Sequence, residues 1–525
     1  MPERNDGRWA RIFAVVRADV LIRVRRPSSI VVFLLLCVLA YMLVPDLRTG
    51  RTVMQVNNHR VLNNSAAIAL ATAGLFSTLL GMLGFYLISN TVRRDITTRT
   101  GFVIAAMPVR SIEYLTGKFL GNVAFLGLVM FGCVLNVMGM HLLRAEAPLE
   151  PVVYIGTYLA MTGPAILVIA ALALLFECAR PLSGRVGDVL YFFVWLLMVS
   201  VAAGAGRVEG VPWENYFDVL GMLFMLNQAR GGQSFDSLQI GQSTFDPAQS
   251  PWVYHGIQWS WNVLETRLAV ALLAVPLLLL AWFFFSRFDP ARIRSSGQHA
   301  RRHPLAALNR LLKPVTRAVT PLAGIGTGLT RVTLSELALT FMISPLALVW
   351  AAAGGVWAVV APLATVRSVI LPVTFVGIIA AISNLATRDR AAGTTALLYS
   401  MPRVQPTWVA ARFLAATLTG LVFVLVPLFR ILFADPAAAL SLVIGIAFIA
   451  AAAVTLGTLT GGSKAFTAVF LLFLYLVMSA RGAPGFDFAG WNGSASNMVR
   501  TGYFVATVIL VLTGFMKQRL AYRVR

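Results

Sequence analysis

The residues with the clearest chemical pattern are charged and occur twice. The stretch from Ser89 to Asn122 aligns without a gap with Ser383 to Ala416, at an offset of 294 residues, and nine of the 34 positions are identical. The identical pairs are Ser89/Ser383, Asn90/Asn384, Arg94/Arg388, Asp95/Asp389, Thr100/Thr394, Met107/Met401, Pro108/Pro402, Phe119/Phe413 and Leu120/Leu414. Lys118 and Arg412 also keep a positive charge. This repetition predicts a tandem duplication.

Each copy lies between two long apolar segments, which predicts a polar loop between two membrane spans. A short helix in such a loop can transmit a rigid displacement, and Pro108 or Pro402 would end it. Asp95 and Asp389 can favour a helix terminus or pair with a basic group on a partner. The alternative is an ordinary basic loop held by lipid headgroups. Retention of the same residues in both copies favours a docking role.

Other residues with catalytic or metal-binding potential lack the spacing that such chemistry needs. The segment Gly457–Lys464 resembles a phosphate-binding loop, but Ser463 stands where lysine is required. His299 and His303 are four residues apart with no carboxylate or cysteine nearby, which favours a solvated segment over a metal site. The cysteines show no paired spacing. The sequence therefore predicts neither an enzyme active site nor a metal or cofactor bound by this chain.

Composition predicts a membrane protein with many spans. Apolar residues make up 58% of the chain and charged residues only 12%, about half of what soluble proteins carry. The apolar segments predict an all-α polytopic fold with twelve transmembrane helices, six in each of two pseudo-symmetric halves. Arg8–Arg26 is a basic amphipathic stretch, which favours a helix along the membrane surface over a signal peptide.

The net charge of +22 follows the membrane topology rather than indicating a nucleic-acid partner. With both termini in the cytoplasm, most of the 43 Lys and Arg residues fall on the cytoplasmic side, as the positive-inside rule requires. We therefore expect a multi-pass protein of a bacterial cytoplasmic (inner) membrane, with the lipid bilayer around it and no nucleic acid bound.

The predicted domains are a first six-span unit at 1–285, a basic cytoplasmic linker at 286–330 and a second six-span unit at 331–525. The halves differ in one extracytoplasmic loop, 206–267, which is rich in aromatic residues. Interfacial or re-entrant helices, centred on Phe217–Leu226, are the favoured interpretation. A docking surface for a periplasmic or accessory partner is the alternative.

Charged residues are sparse inside the predicted spans, which argues against an ion-coupled carrier with buried relays. Aromatic residues cluster on the fifth predicted span, at Tyr191, Phe192, Phe193 and Trp195. A pathway lined by such residues suits hydrophobic or amphipathic substrates. The alternative is that they simply pack helices.

The second loop closely resembles that of the type-2 ATP-binding-cassette (ABC) exporter permeases. The matching residues are Asp389-Arg390, Gly393-Thr394, Leu397-Leu398, Pro402 and Arg412. The first loop matches at Asp95, Thr100, Pro108, Arg110 and Lys118, but has Arg99 where glycine is usual. The long loop 206–267 is a further departure.

The resemblance implies six spans per unit, an interfacial elbow helix, and a coupling helix that docks on a separate ATPase. Both units are fused here, so two ABC ATPase subunits are expected, and ATP and Mg would be bound by that partner. The implied function is a permease of an ATP-driven exporter. The alternatives are a mechanotransmission module that acts on an extracytoplasmic partner and, more distantly, an ion-coupled secondary carrier.

Overall fold

The computed structural model describes residues 6–46, 50–57, 59–179, 182, 185–205, 212–230, 238–245, 250–285, 312–395, 397, 404–479, 484–493 and 495–523. The chain divides into two compact units, Met1–Pro290 and Ala291–Arg525. Helices make up most of the described residues, and several are long and apolar enough to cross a membrane. The expected helical, multi-pass membrane protein is therefore confirmed.

The first unit contains eleven α-helices among its described residues, together with three short strands. The helices are α1 Asp6–Val24, α2 Pro27–Leu43, α3 Ser65–Ile88, α4 Thr91–Thr97, α5 Thr100–Ala106, α6 Ser111–Arg144, α7 Pro151–Cys178, α8 Arg185–Ala205, α9 Met222–Arg230, α10 Trp261–Leu272 and α11 Ala274–Phe284. The strands are β1 Arg51–Val56, β2 His59–Arg60 and β3 Leu238–Thr244. A 3₁₀ helix covers Pro212–Phe217.

The second unit contains helices and no strand among its described residues. Its α-helices are α12 Lys313–Val319, α13 Gly328–Ile343, α14 Leu346–Val360, α15 Leu363–Thr365, α16 Leu371–Ile382, α17 Arg388–Ala392, α18 Val404–Ala434, α19 Pro436–Thr460, α20 Lys464–Ser479 and α21 Asn497–Arg523. A π-helical turn, Val366–Ile370, joins α15 to α16. Short 3₁₀ helices cover Thr320–Gly324, Leu385–Thr387 and Pro484–Phe486.

Twelve spanning helices were predicted from the sequence. Eight helices of the described residues meet the length and hydropathy needed to cross a membrane, and ten do if each bent pair counts as one span. One such pair is α13 with α14, which meet at 90°. The remaining two predicted spans correspond to shorter apolar helices, Gly187–Val201 and Lys464–Met478. These stretches lie within α8, Arg185–Ala205, and α20, Lys464–Ser479.

The most buried spanning helix of each unit leads directly into a repeated loop. In the span that begins with α3, 94% of the most apolar stretch is buried inside the protein. In the span Leu363–Ala392 of the second unit, this share is 78%. A helix that is apolar on all sides is covered either by other helices or by lipid, and in these two spans other parts of the chain cover most of the surface. In the first unit α3 packs mainly on α7, and α1 packs on α6. Each repeated loop therefore follows the most buried spanning helix of its unit.

A small antiparallel sheet, with strand order β2-β1-β3, is an addition that the sequence analysis did not predict. Strand β1 pairs with β2 through Gln55 and Arg60, and with β3 through Gln55 and Gln239. Part of the long loop 206–267 is thus held against the segment that follows α2.

A second repeat, Phe-Asp-x-x-Gly, has one copy in this long loop and the other in the second unit. The sequence analysis missed it. Phe217–Gly221 and Phe486–Gly490 share this pattern, and both glycines adopt a positive φ, +73° and +70°. In both turns the glycine N–H donates to the carbonyl of the aspartate, at 3.2 Å for Asp218 and 3.4 Å for Asp487. Both aspartates are fully buried. The favoured interpretation placed helices around Phe217–Leu226, and the structure has the 3₁₀ helix, this turn and α9 there.

Asp218 is held by two partners within the first unit. Its carboxylate accepts the backbone N–H of Phe224 at 2.8 Å and forms a 3.2 Å ion pair with Arg267 on α10. The guanidinium of Arg267 is itself buried and also lies 4.9 Å from the ring centroid of Phe224. The turn, α9 and α10 therefore form one packed assembly.

Replacing Asp218 by alanine leaves Arg267 buried without its carboxylate. We expect Asp218→Ala to lower the free energy of unfolding by about 3–5 kcal/mol, the usual cost of breaking a buried ion pair. Unfolding of the full chain in mixed detergent micelles measures this loss. The control is Glu265→Ala on the same helix, whose carboxylate makes only an exposed hydrogen bond to Tyr216. Equal losses in the two variants would contradict the prediction.

Candidate functional site

The two repeated loops share an internal geometry that explains several of their identical residues. Arg99 and Gly393, which align in the repeat, both adopt the left-handed conformation, with φ of +62° and +72°. The next residue is threonine in both loops. Its hydroxyl donates to the aspartate carbonyl five residues earlier, over 3.3 Å from Thr100 to Asp95 and 3.4 Å from Thr394 to Asp389. The repeat therefore preserves one turn.

The base of the first loop carries a buried ion cluster, which we define as Asp19, Arg23, Arg94, Asp95 and Lys118. Asp19 lies on α1, Arg94 and Asp95 lie on α4, and Lys118 lies on α6. The Asp19 carboxylate is 2.8 Å from Arg94 Nη2 and 3.0 Å from Lys118 Nζ. Lys118 Nζ is also 2.7 Å from Asp95 Oδ2. This first ion cluster ties three separate segments together away from water.

Neighbouring groups complete the first ion cluster. Tyr114 donates its hydroxyl to Asp95 over 2.7 Å. Arg23, on α1 one turn after Asp19, donates to the carbonyl of Gly121 at 3.1 Å and to the side chain of Asn122. Burial of these charges is tolerated because each has a charged or polar partner at short range.

Glycine on α6 allows the first ion cluster to close. A Cβ at Gly117 would lie 2.9 Å from Val15 Cβ and 3.3 Å from the carbonyl of Ile12. Helix α1 therefore approaches α6 more closely than a larger residue would permit, which brings Asp19 within reach of Lys118. The aligned residue in the second unit is Ala411, which is also small and is buried.

The second loop has an equivalent cluster, which we define as Glu336, Arg388, Asp389 and Arg412. Glu336, on α13, is 3.4 Å from Arg388 Nη1 and 3.2 Å from Arg412 Nη2. Arg412, on α18, also pairs with Asp389. Arg388 donates to the Thr340 hydroxyl at 2.9 Å. This second ion cluster links the loop to the helix before the bend and to the helix after the loop.

The two clusters are the same arrangement built with different residues. Asp19 corresponds to Glu336, Arg94 to Arg388, Asp95 to Asp389 and Lys118 to Arg412. The sequence analysis found the last three pairs but missed Asp19 and Glu336, because these two are 317 residues apart rather than 294. The 23-residue difference falls between α1 and α4, where the first unit carries β1 and β2. Neither helix marks its acid by spacing alone, since α1 also carries Asp6.

One further carboxylate supports the first loop. Glu177, at the end of α7, accepts the backbone N–H groups of Thr91 and Val92 at 3.0 and 2.6 Å, and the Thr91 hydroxyl at 3.1 Å. The first N–H groups of a helix have no partner within it, and a carboxylate there also favours the helix dipole. Helix α7 is thus a fourth segment attached to this loop.

The outer part of each loop exposes apolar side chains. Phe102, Val103 and Met107 are 38%, 57% and 49% exposed, and Leu397 is 61% exposed. Helix α5 ends at Ala106 and Pro108 follows shortly after, as the sequence analysis expected for a proline at this position. Met401 and Pro402 lie outside the described residues. A charged base and an apolar tip make the first loop suited to contact another protein.

The aromatic residues predicted for a substrate pathway lie on α8. Tyr191, Phe192 and Trp195 are buried within the first unit, and Phe193 is 44% exposed. Tyr191 stacks on Phe85 at 3.5 Å between ring centroids, and Trp195 donates to the carbonyl of Thr78 at 3.0 Å. Tyr191 and Trp195 thus pack α8 on α3. Their role in a pathway stays a prediction.

Among the described residues, no group of three or more His, Cys, Asp or Glu side chains could hold a metal ion. His299 and His303 lie outside the described residues, as does most of the linker predicted at 286–330.

Comparison of this chain with protein-family models, with curated proteins and with solved structures found no match.

The left-handed residue of each loop gives a test of the shared turn. Gly393→Ala places a Cβ on a residue with positive φ, which costs about 1–2 kcal/mol, whereas Arg99→Gly removes that penalty from the first loop. We expect faster hydrogen exchange across Arg388–Leu397 in Gly393→Ala and no acceleration in the first loop of Arg99→Gly. Gly462→Ala, which has open space around the added Cβ, is the control. Faster hydrogen exchange of the first loop in Arg99→Gly would contradict the strain assigned to Arg99.

The acids on α1 and α13 give a test of the ion clusters. Asp19→Asn leaves three cations facing a neutral group, and we expect it to lower the free energy of unfolding by about 3–5 kcal/mol. Glu336→Gln affects two cations at a partly exposed site, so we expect a smaller loss, about 1–3 kcal/mol. Glu146→Gln, which weakens a more exposed pair with Arg60, should cost less than about 1 kcal/mol. Detergent unfolding of the three variants checks this order.

Proposed function

We propose that this chain is the membrane-spanning permease subunit of a type-2 ABC exporter, which moves a hydrophobic or amphipathic substrate across a bacterial inner membrane. Two separate ATPase subunits would bind ATP and Mg and hydrolyse the nucleotide. The loops at Arg94–Pro108 and Arg388–Pro402 would be their docking elements. The proposal rests on the resemblance of these loops to that family and on their geometry.

The observation that carries the proposal is the pair of matching ion clusters. An element that transmits force needs a rigid connection to the helices it moves. In each unit the charged residues at the base of the loop pair with an acid on α1 or α13 and with a cation on α6 or α18. A push on the loop would therefore reach two further helices directly. Two such loops in one chain suit two ATPase subunits.

The proposed topology has twelve spans with both termini in the cytoplasm. Helices α1 and α13 would be the elbow helices, each lying along the membrane before the chain bends into α2 or α14. Helices α5 and α17 would belong to the coupling elements. The two short apolar helices, Gly187–Val201 and Lys464–Met478, would span the membrane together with residues at their ends. The exposed apolar residues at the loop tips support a protein partner at that surface.

A second candidate function is a mechanotransmission module that acts on an extracytoplasmic partner. It is favoured by the sheet β2-β1-β3, which the first unit has and which has no counterpart among the described residues of the second. In this case the ATPase would still dock on the loops, but no substrate would pass between the halves. Transport by the reconstituted complex separates the two functions.

The experiment that tests the proposal is reconstitution of the full chain with its ATPase in liposomes. We expect ATP-dependent movement and substrate-stimulated hydrolysis with hydrophobic or amphipathic compounds, and neither with small polar solutes. Stimulation confined to a hydrophilic solute would contradict the substrate class. Transport driven by an ion gradient without any ATPase would contradict the permease assignment.

The docking role of the loops predicts the composition of the complex. We expect two ATPase subunits per chain in the mass of the purified complex, and we expect Val103→Asp to reduce ATPase binding because it places a charge on the exposed tip. Leu143→Asp is the control, since Leu143 is an exposed apolar residue at the opposite end of α6. A complex with one ATPase per chain, or equal effects of both variants, would argue against docking at these loops.

A further inference from the structure

A cavity of about 720 Å³ opens in the second unit at the end of its helices opposite to the loop at Arg388–Leu397. Its walls come from α15 and the π-helical turn, from the end of α18, from the end of α20, and from the segment 484–493. This volume is in the range of small-molecule sites, which are usually about 300–1,000 Å³. Both polar and apolar side chains line the cavity, and the repeated loops contribute none of them.

The polar side of the cavity is formed by Arg367 and Asp435. Arg367 lies in the π-helical turn, a rare feature that often marks functional sites. Pro372 follows this turn and has no N–H to donate to the carbonyl of Ser368, so the regular α-helical bond cannot form there. The wider turn presents Arg367 and Ser368 to the cavity.

Arg367 has unused hydrogen-bonding capacity. Its Nη2 donates to Asp435 Oδ2 at 3.1 Å. Its Nε is buried and has no acceptor among the residues that the structure describes. A buried donor without an acceptor lowers the stability of the folded protein. The guanidinium as a whole is partly exposed and lines the cavity, so its other N–H groups can donate to an acidic oxygen of a ligand.

Asp435 supplies a negative charge beside the guanidinium. It caps α19 by accepting the N–H of Ala438 at 3.0 Å, and its side chain stays 38% exposed. The pKa of its carboxyl is lowered, first by the backbone N–H of Ala438 and then by Arg367. The carboxylate is therefore charged at neutral pH and has space to accept another donor.

The remaining walls are apolar. Leu363, Met478 and Trp491 line this part of the cavity. Trp491 is buried and packs edge-on against Phe375, at 5.1 Å between ring centroids, and against Phe488, at 5.2 Å. The apolar wall is thus fixed in place by the core of the second unit.

We propose that this cavity binds an amphiphile that carries an acidic group and a primary amine close together. The acidic oxygens accept from Arg367, the ammonium donates to Asp435, and the apolar chain lies against Leu363, Met478 and Trp491. A ligand with only a negative charge meets repulsion from Asp435, and one with only a positive charge meets repulsion from Arg367. A ligand with both charges leaves neither side chain unpaired. This binding does not depend on the ATPase.

Binding of lysophospholipids to the purified full chain tests the proposal, with each lipid kept below its micelle concentration. Lysophosphatidylethanolamine has the phosphate, the amine and the chain. The lysophosphatidylglycerol probe lacks the amine, lysophosphatidylcholine has it blocked by methyl groups, and free phosphoethanolamine lacks the chain. We expect lysophosphatidylethanolamine to bind at least about tenfold more tightly than each of the others, since one charge-assisted hydrogen bond accounts for that factor.

Two variants assign the binding to the cavity. Asp435→Asn keeps an N-cap for α19 but removes the charge, so we expect it to abolish the preference for the amine while lysophosphatidylglycerol binds at least as well as before. Arg367→Gln removes the donor for the acidic group, so we expect it to weaken both lipids about tenfold. A general loss of folding would not produce this difference between the variants.

Three results would overturn the proposal. The first is equal binding of the three lysophospholipids by the unaltered chain. The second is binding that neither variant changes, which would place the lipid elsewhere on the protein. The third is binding of free phosphoethanolamine as tight as that of the lysolipid, which would exclude a role for the apolar wall.

Discussion

Charge buried at the base of each repeated loop is the constraint on which the arrangement of both units depends. An ionised group shielded from water is tolerated only when opposite charges and hydrogen-bond donors surround it closely. Asp19 can therefore occupy its position only if Arg94 and Lys118 are brought to it. This requirement sets how far α1, α4 and α6 can separate. Removing Asp19 takes a carboxylate from Arg23, Arg94 and Lys118 together.

The two units meet this constraint with different side chains. Aspartate on α1 is replaced by the longer glutamate on α13, and lysine on α6 is replaced by arginine on α18. Arginine offers a planar fork of donors, and Arg412 uses it to contact both Glu336 and Asp389. It also lies over Trp408, 3.8 Å from the ring centroid, so an aromatic face shares in holding the charge. The arrangement of charges is therefore the same in both units, although only some of the residues are identical.

The sequence revealed the loops because their residues repeat at one fixed offset. It also predicted the helical class, since long apolar segments allow few other structures in a membrane. Asp19 and Glu336 could not be found in this way, because an insertion between α1 and α4 changes the offset and nothing in α1 or α13 alone marks a partner. The Phe-Asp-x-x-Gly turns were missed for a related reason: three shared residues in loops of unequal length give a weak signal.

The number of spans stays a prediction, since eight to ten helices of the described residues have the length and hydropathy of a membrane span. The sequence separated an entry stretch, Arg331–Ser344, from the span Pro345–Pro362, and the chain turns by 90° between α13 and α14 at this place. Pro345 lies at this bend, but the presence of a proline does not determine the angle between the two helices. The three strands also escaped notice, because β1 and β3 are nearly two hundred residues apart in the sequence, and no local pattern joins them.

Glu177 attaches the first loop to one helix more than its ion cluster reaches. The first loop is anchored to α1, α6 and, through Glu177 and the N–H groups of α4, to α7. The second loop is anchored through its ion cluster to α13 and α18. In the proposed permease, a force on the first loop would pass to α1, α6 and α7, and a force on the second loop would pass to α13 and α18.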